Sequence, residues 1–316
     1  MKALIKGVWY SNLDQTENAH VFSEGIASGT FRGKISADGS LGFKAEAGRY
    51  HLYTSYACPF AHRTLIMRKL KKLEKAISIS VLDPSWNTEQ GWAFTDAPDC
   101  TPDTVNGFKY LYQVYVKAQA DFTGKVTVPV LWDKASATIV NNESADIMRM
   151  LNSEFEAFAG SNVNFYQKEL QGDIDAMNEF VTNRINLAVY RVGFAMTQDD
   201  YDREVDRLFA ALDELESHLS NRQYLVADGA TEADWRLFVT LVRFDAAYYG
   251  ALRCNVRRLA DYPNLSAYTR RLYRIPGVAR TVKLNHIKRH YYNDLPMINH
   301  RIVPKGPTVD FGVSNT

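Results

Sequence analysis

Cysteine is scarce in this chain: Cys58, Cys100 and Cys254 stand far apart in 316 residues. An odd, widely spaced set cannot staple a fold. It excludes a disulfide framework and leads us to expect a reducing, cytoplasmic setting. Net charge is nearly absent as well. The 37 Lys and Arg against 36 Asp and Glu leave +1, which argues against a dedicated nucleic-acid binder. No uninterrupted apolar run approaches the roughly 18–20 residues that a membrane-spanning helix needs. Met1 to Tyr10 carries lysines but no apolar core followed by a small-residue cleavage site, so no secretory signal is expected there. A glycine-rich phosphate loop is missing, which disfavours a nucleotide cofactor. Internal repeats and low-complexity stretches are missing too.

Two weak signals are set aside on chemical grounds. His286 and His290 lie four apart and would share a helix face, a common spacing for metal ligands. No acidic residue stands where a zinc-protease motif needs one and no cysteine pair completes a site, so no metal is expected. The pairs Arg257-Arg258, Arg270-Arg271 and Lys288-Arg289 make the last quarter basic. The aromatic and glycine signatures of common RNA modules do not accompany them, so they read as a solvated helical surface.

What is present is the balance of a soluble globular protein, with 46% hydrophobic and 23% charged residues over a length that suits about two domains. Residues 1–45 are rich in Gly, Ser and polar groups with isolated aromatics (Trp9, Phe22, Phe31, Phe43), and read as an extended arm lying over a core. Tyr50 to Thr54 reads as a strand. Ser55 to Pro59 breaks it, and Ala61, Leu65, Ile66, Leu70 and Leu73 recur at helical spacing. Ile77 to Leu82 is a second strand, which should run parallel to the first.

Residues 83–125 read as a long irregular insert. Val126 to Trp132 and Thr138 to Val140 follow as short β-type runs, and a helix is expected from about Ser144 to Leu151. Pro129 removes a ladder donor and belongs at an edge or beside a special turn. Helical patterns then occupy 167–190, 199–219, 232–250 and 264–275, with Thr231 to Asp234 in the form of a capping box that has Asp in place of Glu or Gln. The expected boundaries are an arm at 1–45, an α/β domain at 46–155, an all-helical domain at 165–295 and an extended tail at 296–316.

The residue with chemistry is Cys58. It precedes Pro59 at the start of a helix that follows a strand, where unpaired amide N–H groups and the positive dipole end favour thiolate over thiol. From position alone, a nucleophile and an inert buried thiol both stand. The residue three positions on is Ala61, so no dithiol motif exists and redox chemistry here requires an external thiol. Cys100 and Cys254 have no such setting, and no chemical role is expected of them.

The run Cys58-Pro59-Phe60-Ala61-His62-Arg63, with Val128-Pro129-Val130 and Asn142-Glu143-Ser144, resembles the glutathione transferases. Thr231 to Asp234 resembles the helix-start motif of that superfamily's helical domain. More narrowly, the chain is similar to the glutathionyl-hydroquinone reductases, or Xi-class glutathione transferases. The similarity runs from Gly7-Val8-Trp9 through Tyr292 to Gly306-Pro307, with Tyr50 to Leu70 and Val126 to Asp133 the most specific stretches. Two positions depart from the pattern. Phe60 stands where the family usually has Trp, and His300 where it usually has Pro after the asparagine.

The resemblance implies an α/β thioredoxin-like N-terminal domain plus an all-α C-terminal domain, with glutathione as co-substrate and a homodimer as the assembly. Val128, before a cis-Pro129, would present its backbone to glutathione; Glu143 and Ser144 would hold the γ-glutamyl group, and Trp92 and Lys125 would line the site. Tyr190 and Tyr291 would face the phenolic ring beside Phe60, donating hydrogen bonds or shuttling a proton. The basic surface would draw in anionic glutathione conjugates.

The implied reaction is reduction of glutathionyl-hydroquinones through a mixed disulfide between Cys58 and glutathione, which a second glutathione resolves. An omega-like thioltransferase or dehydroascorbate reductase would share Cys58 and the glutathione residues without needing the tyrosines. A glutathione-transferase-like binding protein without turnover would need neither a reactive thiol at Cys58 nor the tyrosines.

Overall fold

A computed structural model describes residues 2–13, 31–295 and 301–312. The chain divides into two units, Met1–Asn162 and Val163–Thr316. In the first, the strands are β1 (Ala3–Ile5), β2 (Val8–Tyr10), β3 (Lys34–Ser36), β4 (Gly42–Lys44), β5 (Tyr50–Thr54), β6 (Ser78–Val81), β7 (Val130–Asp133) and β8 (Thr138–Asn141). The central sheet has the order β6-β5-β7-β8. β5 and β6 are parallel, as a strand–helix–strand unit requires, while β7 runs antiparallel to β5 and β8 antiparallel to β7. The connecting helix, Pro59–Leu70, begins with proline at its first position, where the missing N–H is no loss.

Two segments differ from the expectation. The insert contains a helix, Leu111–Ala118, whose Tyr112, Val114, Tyr115 and Val116 favour a strand locally. Burial of Leu111, Val114 and Tyr115 on one face overrides that preference, and Gln113 Oε1 caps the start by accepting from Lys109 N and Tyr110 N at 3.0 and 2.9 Å. The arm carries ordered pairings: β1 and β2 form an antiparallel hairpin, and β3 pairs parallel with β4. Phe22 and His300 lie outside the described residues.

Every residue of β5 is buried, including His51. It lies opposite Ser78 in the β5–β6 ladder, and its Nδ1 is 2.7 Å from Ser78 Oγ. Burial, which disfavours the imidazolium, pushes its pKa down to about 4. The unfolded chain therefore binds a proton that the folded chain refuses between pH 6.5 and 4, and stability falls as the pH falls through that window. The expected loss at the acid end is about 3 kcal/mol. Urea denaturation at pH 7 and pH 4.5 should show it, and His51→Gln should flatten the difference. An unchanged pH dependence in the variant would remove His51 as the cause.

Among the described residues the regular elements of the second unit are all helices. Its longest helix, Gln198–His218, starts at Thr197, whose hydroxyl accepts from Asp200 N at 3.1 Å, and it buries Val205, Leu208, Phe209, Leu212 and Leu215. The expected helices over 167–190 and 232–250 are each interrupted by one π turn, Thr182–Asn186 and Phe244–Tyr248. Such turns insert a residue and redirect the side chains that follow, and they are frequent at functional sites. Pro263–Tyr273 and Leu284–Asp294 complete the unit. Part of the tail is fixed: Phe311 stacks on Tyr273 at 4.4 Å, and Lys288 Nζ donates to Lys305 O at 2.9 Å. No helix among the described residues is long and apolar enough to cross a membrane.

Candidate active site

Cys58 occupies the N-cap of Pro59–Leu70 with extended backbone angles, φ −73° and ψ 123°. The N–H groups of the first helical turn have no carbonyl one turn back, so they and the helix dipole are available to a negative sulfur. The thiol is partly buried and lies 3.8 Å from Val128 O, to which S–H donates. Val128 precedes Pro129 across a cis peptide bond, immediately before β7. Trp92 and Val128 belong to one core cluster, against which Cys58 packs. Lys125 is exposed on the segment that leads into this turn.

Glu143 caps the helix Ser144–Ser153. Its carboxylate accepts from Ala145 N and from Ser144 Oγ, both at 3.2 Å. The same carboxylate is therefore both a helix cap and a candidate ligand group. Ser144 is buried, and a residue that sequence reasoning missed reaches it: Arg63 Nη1 donates to Ser144 Oγ at 3.4 Å. The Arg63 guanidinium also sits 4.8 Å over the ring of Phe60. One buried cation thus touches both the aromatic residue after Cys58–Pro59 and the start of the Ser144 helix. Arg63 lies 81 residues from Ser144, and no local pattern joins them. From the arm, Phe31 N donates to Asn142 Oδ1 at 3.1 Å, holding the turn before Glu143.

In the second unit, Tyr190 and Tyr291 come together with hydroxyl oxygens 2.7 Å apart. A third phenol that the sequence did not single out, Tyr248, places its hydroxyl 3.2 Å from that of Tyr291. Tyr248 closes one π turn, and Tyr190 follows shortly after the other. Burial pushes the Tyr291 phenol well above its usual range, and the neighbouring Tyr190 and Tyr248 add to this, so Tyr291 keeps its proton. Tyr190 is partly exposed and its ring stacks on Phe194 at 6.2 Å. Cys254 is fully buried, and burial pushes its thiol pKa far up, as suits an inert residue.

A thioredoxin-like sheet with a helix-start cysteine and a cis-proline, followed in the chain by a helical unit, defines the glutathione S-transferase class. The family models agree: "Glutathione S-transferase, N-terminal domain" matches residues 57–154 and "Glutathione S-transferase, C-terminal domain" matches 198–271. The glutathionyl-hydroquinone reductase PcpF of Sphingobium chlorophenolicum is 47% identical over 97% of this chain and 96% of its own. The Xi-class glutathione transferase of Natrialba magadii superposes with a TM-score of 0.92 at 45% identity, covering 100% of this chain and 96% of that one. The glutathione-bound structure of YqjG from Escherichia coli K-12 gives 0.89 at 43% identity, covering 98% and 97%. The chain belongs to the glutathionyl-hydroquinone reductases, the Xi class of glutathione transferases.

Proposed function

We propose that this protein is an enzyme that reduces glutathionyl-hydroquinones to hydroquinones at the expense of glutathione. The Cys58 thiolate attacks the sulfur of the conjugate and forms an S–S bond while the carbon–sulfur bond breaks. The electron pair goes to the ring carbon, which takes up a proton, and hydroquinone leaves. Glutathione thiolate then attacks the Cys58–glutathione disulfide, releasing glutathione disulfide and restoring the Cys58 thiolate. Two glutathionyl groups leave as one disulfide, so the two electrons gained by the ring are accounted for.

In this reading the Val128 backbone, Glu143, Ser144, Trp92 and Lys125 hold glutathione, and Phe60 walls the substrate. Tyr190 donates to a ring oxygen, and Tyr291, hydrogen-bonded to it, relays the proton from behind. The relatives support glutathione as co-substrate, since the neighbouring structure of YqjG is glutathione-bound. We further assign a homodimer in the cytoplasm, on the class of protein and on the sparse, widely spaced cysteines.

The observation that carries the choice of substrate is the hydroxyl chain of Tyr190, Tyr291 and Tyr248. An omega-like thioltransferase has no need of such a row of phenols. With a glutathionyl-hydroquinone and excess glutathione, hydroquinone and glutathione disulfide should appear in equal amounts. Tyr291→Phe should lower that turnover by roughly 100-fold, the low end of the range for a lost general acid. Its reduction of an aliphatic glutathione mixed disulfide should stay within about twofold, because that step needs no ring proton. Wild-type protein that ignores the quinol conjugate but reduces dehydroascorbate would sink the reading in favour of the omega-like one. Glutathione binding without either activity would leave a binding module.

A further inference from the structure

The aromatic residue of the Gly7-Val8-Trp9 run has no part in the chemistry above, yet it touches the segments on both sides of Trp92. Its indole Nε1 donates to Glu89 O at 2.9 Å, three residues before Trp92. Its ring stacks on Tyr112 at 5.1 Å and 13°, and Tyr112 stacks on Tyr110 at 5.7 Å and 9°. Those two tyrosines flank the stretch against which Trp92 is laid: Leu111 N donates to Trp92 O at 2.9 Å, and Ala93 forms an antiparallel bridge with Tyr110.

Gly91 fits the same picture. It has φ +70°, and a Cβ there would fall 2.9 Å from Trp9 Cζ2, so both the turn and the indole require glycine. The hairpin that carries Trp9 is itself anchored. Leu4 and Gly124 exchange N–H···O bonds at 2.9 Å, and Gly7 N donates to Phe122 O at 2.9 Å, just before Lys125. Lys2 Nζ donates to Asn87 Oδ1 at 2.6 Å on the far side of the Thr88–Gly91 turn.

We propose that Trp9 is a positioning residue for glutathione. Wedged between the Glu89–Gly91 turn and the Tyr110–Tyr112 stack, it fixes the orientation in which Trp92 meets the co-substrate. The proposal rests on the reading of Trp92 as part of the glutathione site. Trp9 does not touch the reacting sulfur, so its removal acts on binding and leaves the chemical step alone.

The test uses full-length protein, with glutathione affinity by titration calorimetry alongside steady-state kinetics. Trp9→Ala should raise the glutathione Kd and KM about 10-fold while kcat at saturating glutathione stays within about twofold, the pattern of lost uniform binding. Trp9→Phe keeps the stack and should stay within about threefold of wild type. Gly91→Ala keeps the indole but displaces the turn, and should reproduce Trp9→Ala. It also decides the matter should Trp9→Ala fail to fold.

Unchanged glutathione affinity in folded Trp9→Ala and Gly91→Ala overturns the proposal, and so does a fall in kcat with KM unchanged. Wild type that does not bind glutathione in the calorimeter removes the functional reading itself, and the proposal with it. That result is separate from one in which wild type binds and the variants bind equally well.

Discussion

Cys58→Ser should fold, bind glutathione and turn over glutathionyl-hydroquinone at least about 10³-fold more slowly than wild type. The side chain is nearly isosteric, and Cys58 holds the helix start through its backbone: its carbonyl accepts from His62 N at 3.0 Å. The fold therefore has little reason to notice the change. The chemistry has every reason. A serine hydroxyl is protonated at neutral pH, and oxygen cannot form the disulfide that a second glutathione resolves. The check is product formation by chromatography, together with peptide mass analysis of wild type quenched during turnover. A glutathione adduct should sit on the Cys58 peptide and on neither of those with Cys100 and Cys254. A serine variant that keeps a tenth of wild-type turnover would falsify the covalent scheme.

Asp234→Ala should lower the stability of the helical unit by about 4 kcal/mol. Asp234 is fully buried and its carboxylate accepts four donors. Thr231 N and Oγ1 approach Oδ2 at 2.7 and 2.9 Å, closing the capping box of Glu232–Arg243. Leu225 N and the Tyr268 hydroxyl approach Oδ1, both at 2.9 Å. One side chain thus joins a loop, a helix start and a second helix. Alanine strands all four donors away from water, and each buried unsatisfied group costs about 1–3 kcal/mol. The donors relax in part, so the sum falls short of four independent losses. Asp234→Asn keeps one acceptor and turns an amide toward the other donors, so roughly half the loss is expected. Chemical denaturation measures both, and a loss under about 1 kcal/mol for alanine would mean that water replaces the carboxylate.

The capping box was legible because its chemistry is local: cap and partner lie three residues apart, and the helix they start is strongly periodic. The same holds for β5, the Pro59 helix and β6, where the hydrophobic period switches from two to nearly four and back. Cys58 and Pro129 stood out because each lies at the end of an element, where residue choice is most constrained, whereas Glu143 and Ser144 were reached through the resemblance to the glutathione transferases. The helix Leu111–Ala118 was hidden by its own β-formers, since its face is set by burial against distant residues. The two π turns leave no composition signature. Arg63 and Trp9 act on partners 81 and 80 residues away, and Tyr248 meets Tyr291 across 43. Sequence pattern sees neighbours along the chain. These contacts exist only once the chain has closed on itself.

The trio of phenols has a further property. Tyr291 owns a single proton and stands between two hydroxyls, so it donates to one neighbour and accepts from the other. Two arrangements satisfy the row, one polarised toward Tyr190 and one away from it. Rotating three O–H bonds converts one into the other without moving a heavy atom. The row is in effect a reversible rectifier for hydrogen bonds. Set one way, its outer end offers a proton; set the other way, the same oxygen receives one. A site built like this can serve both the uptake and the return of a proton within one catalytic cycle, with no charged side chain in the row.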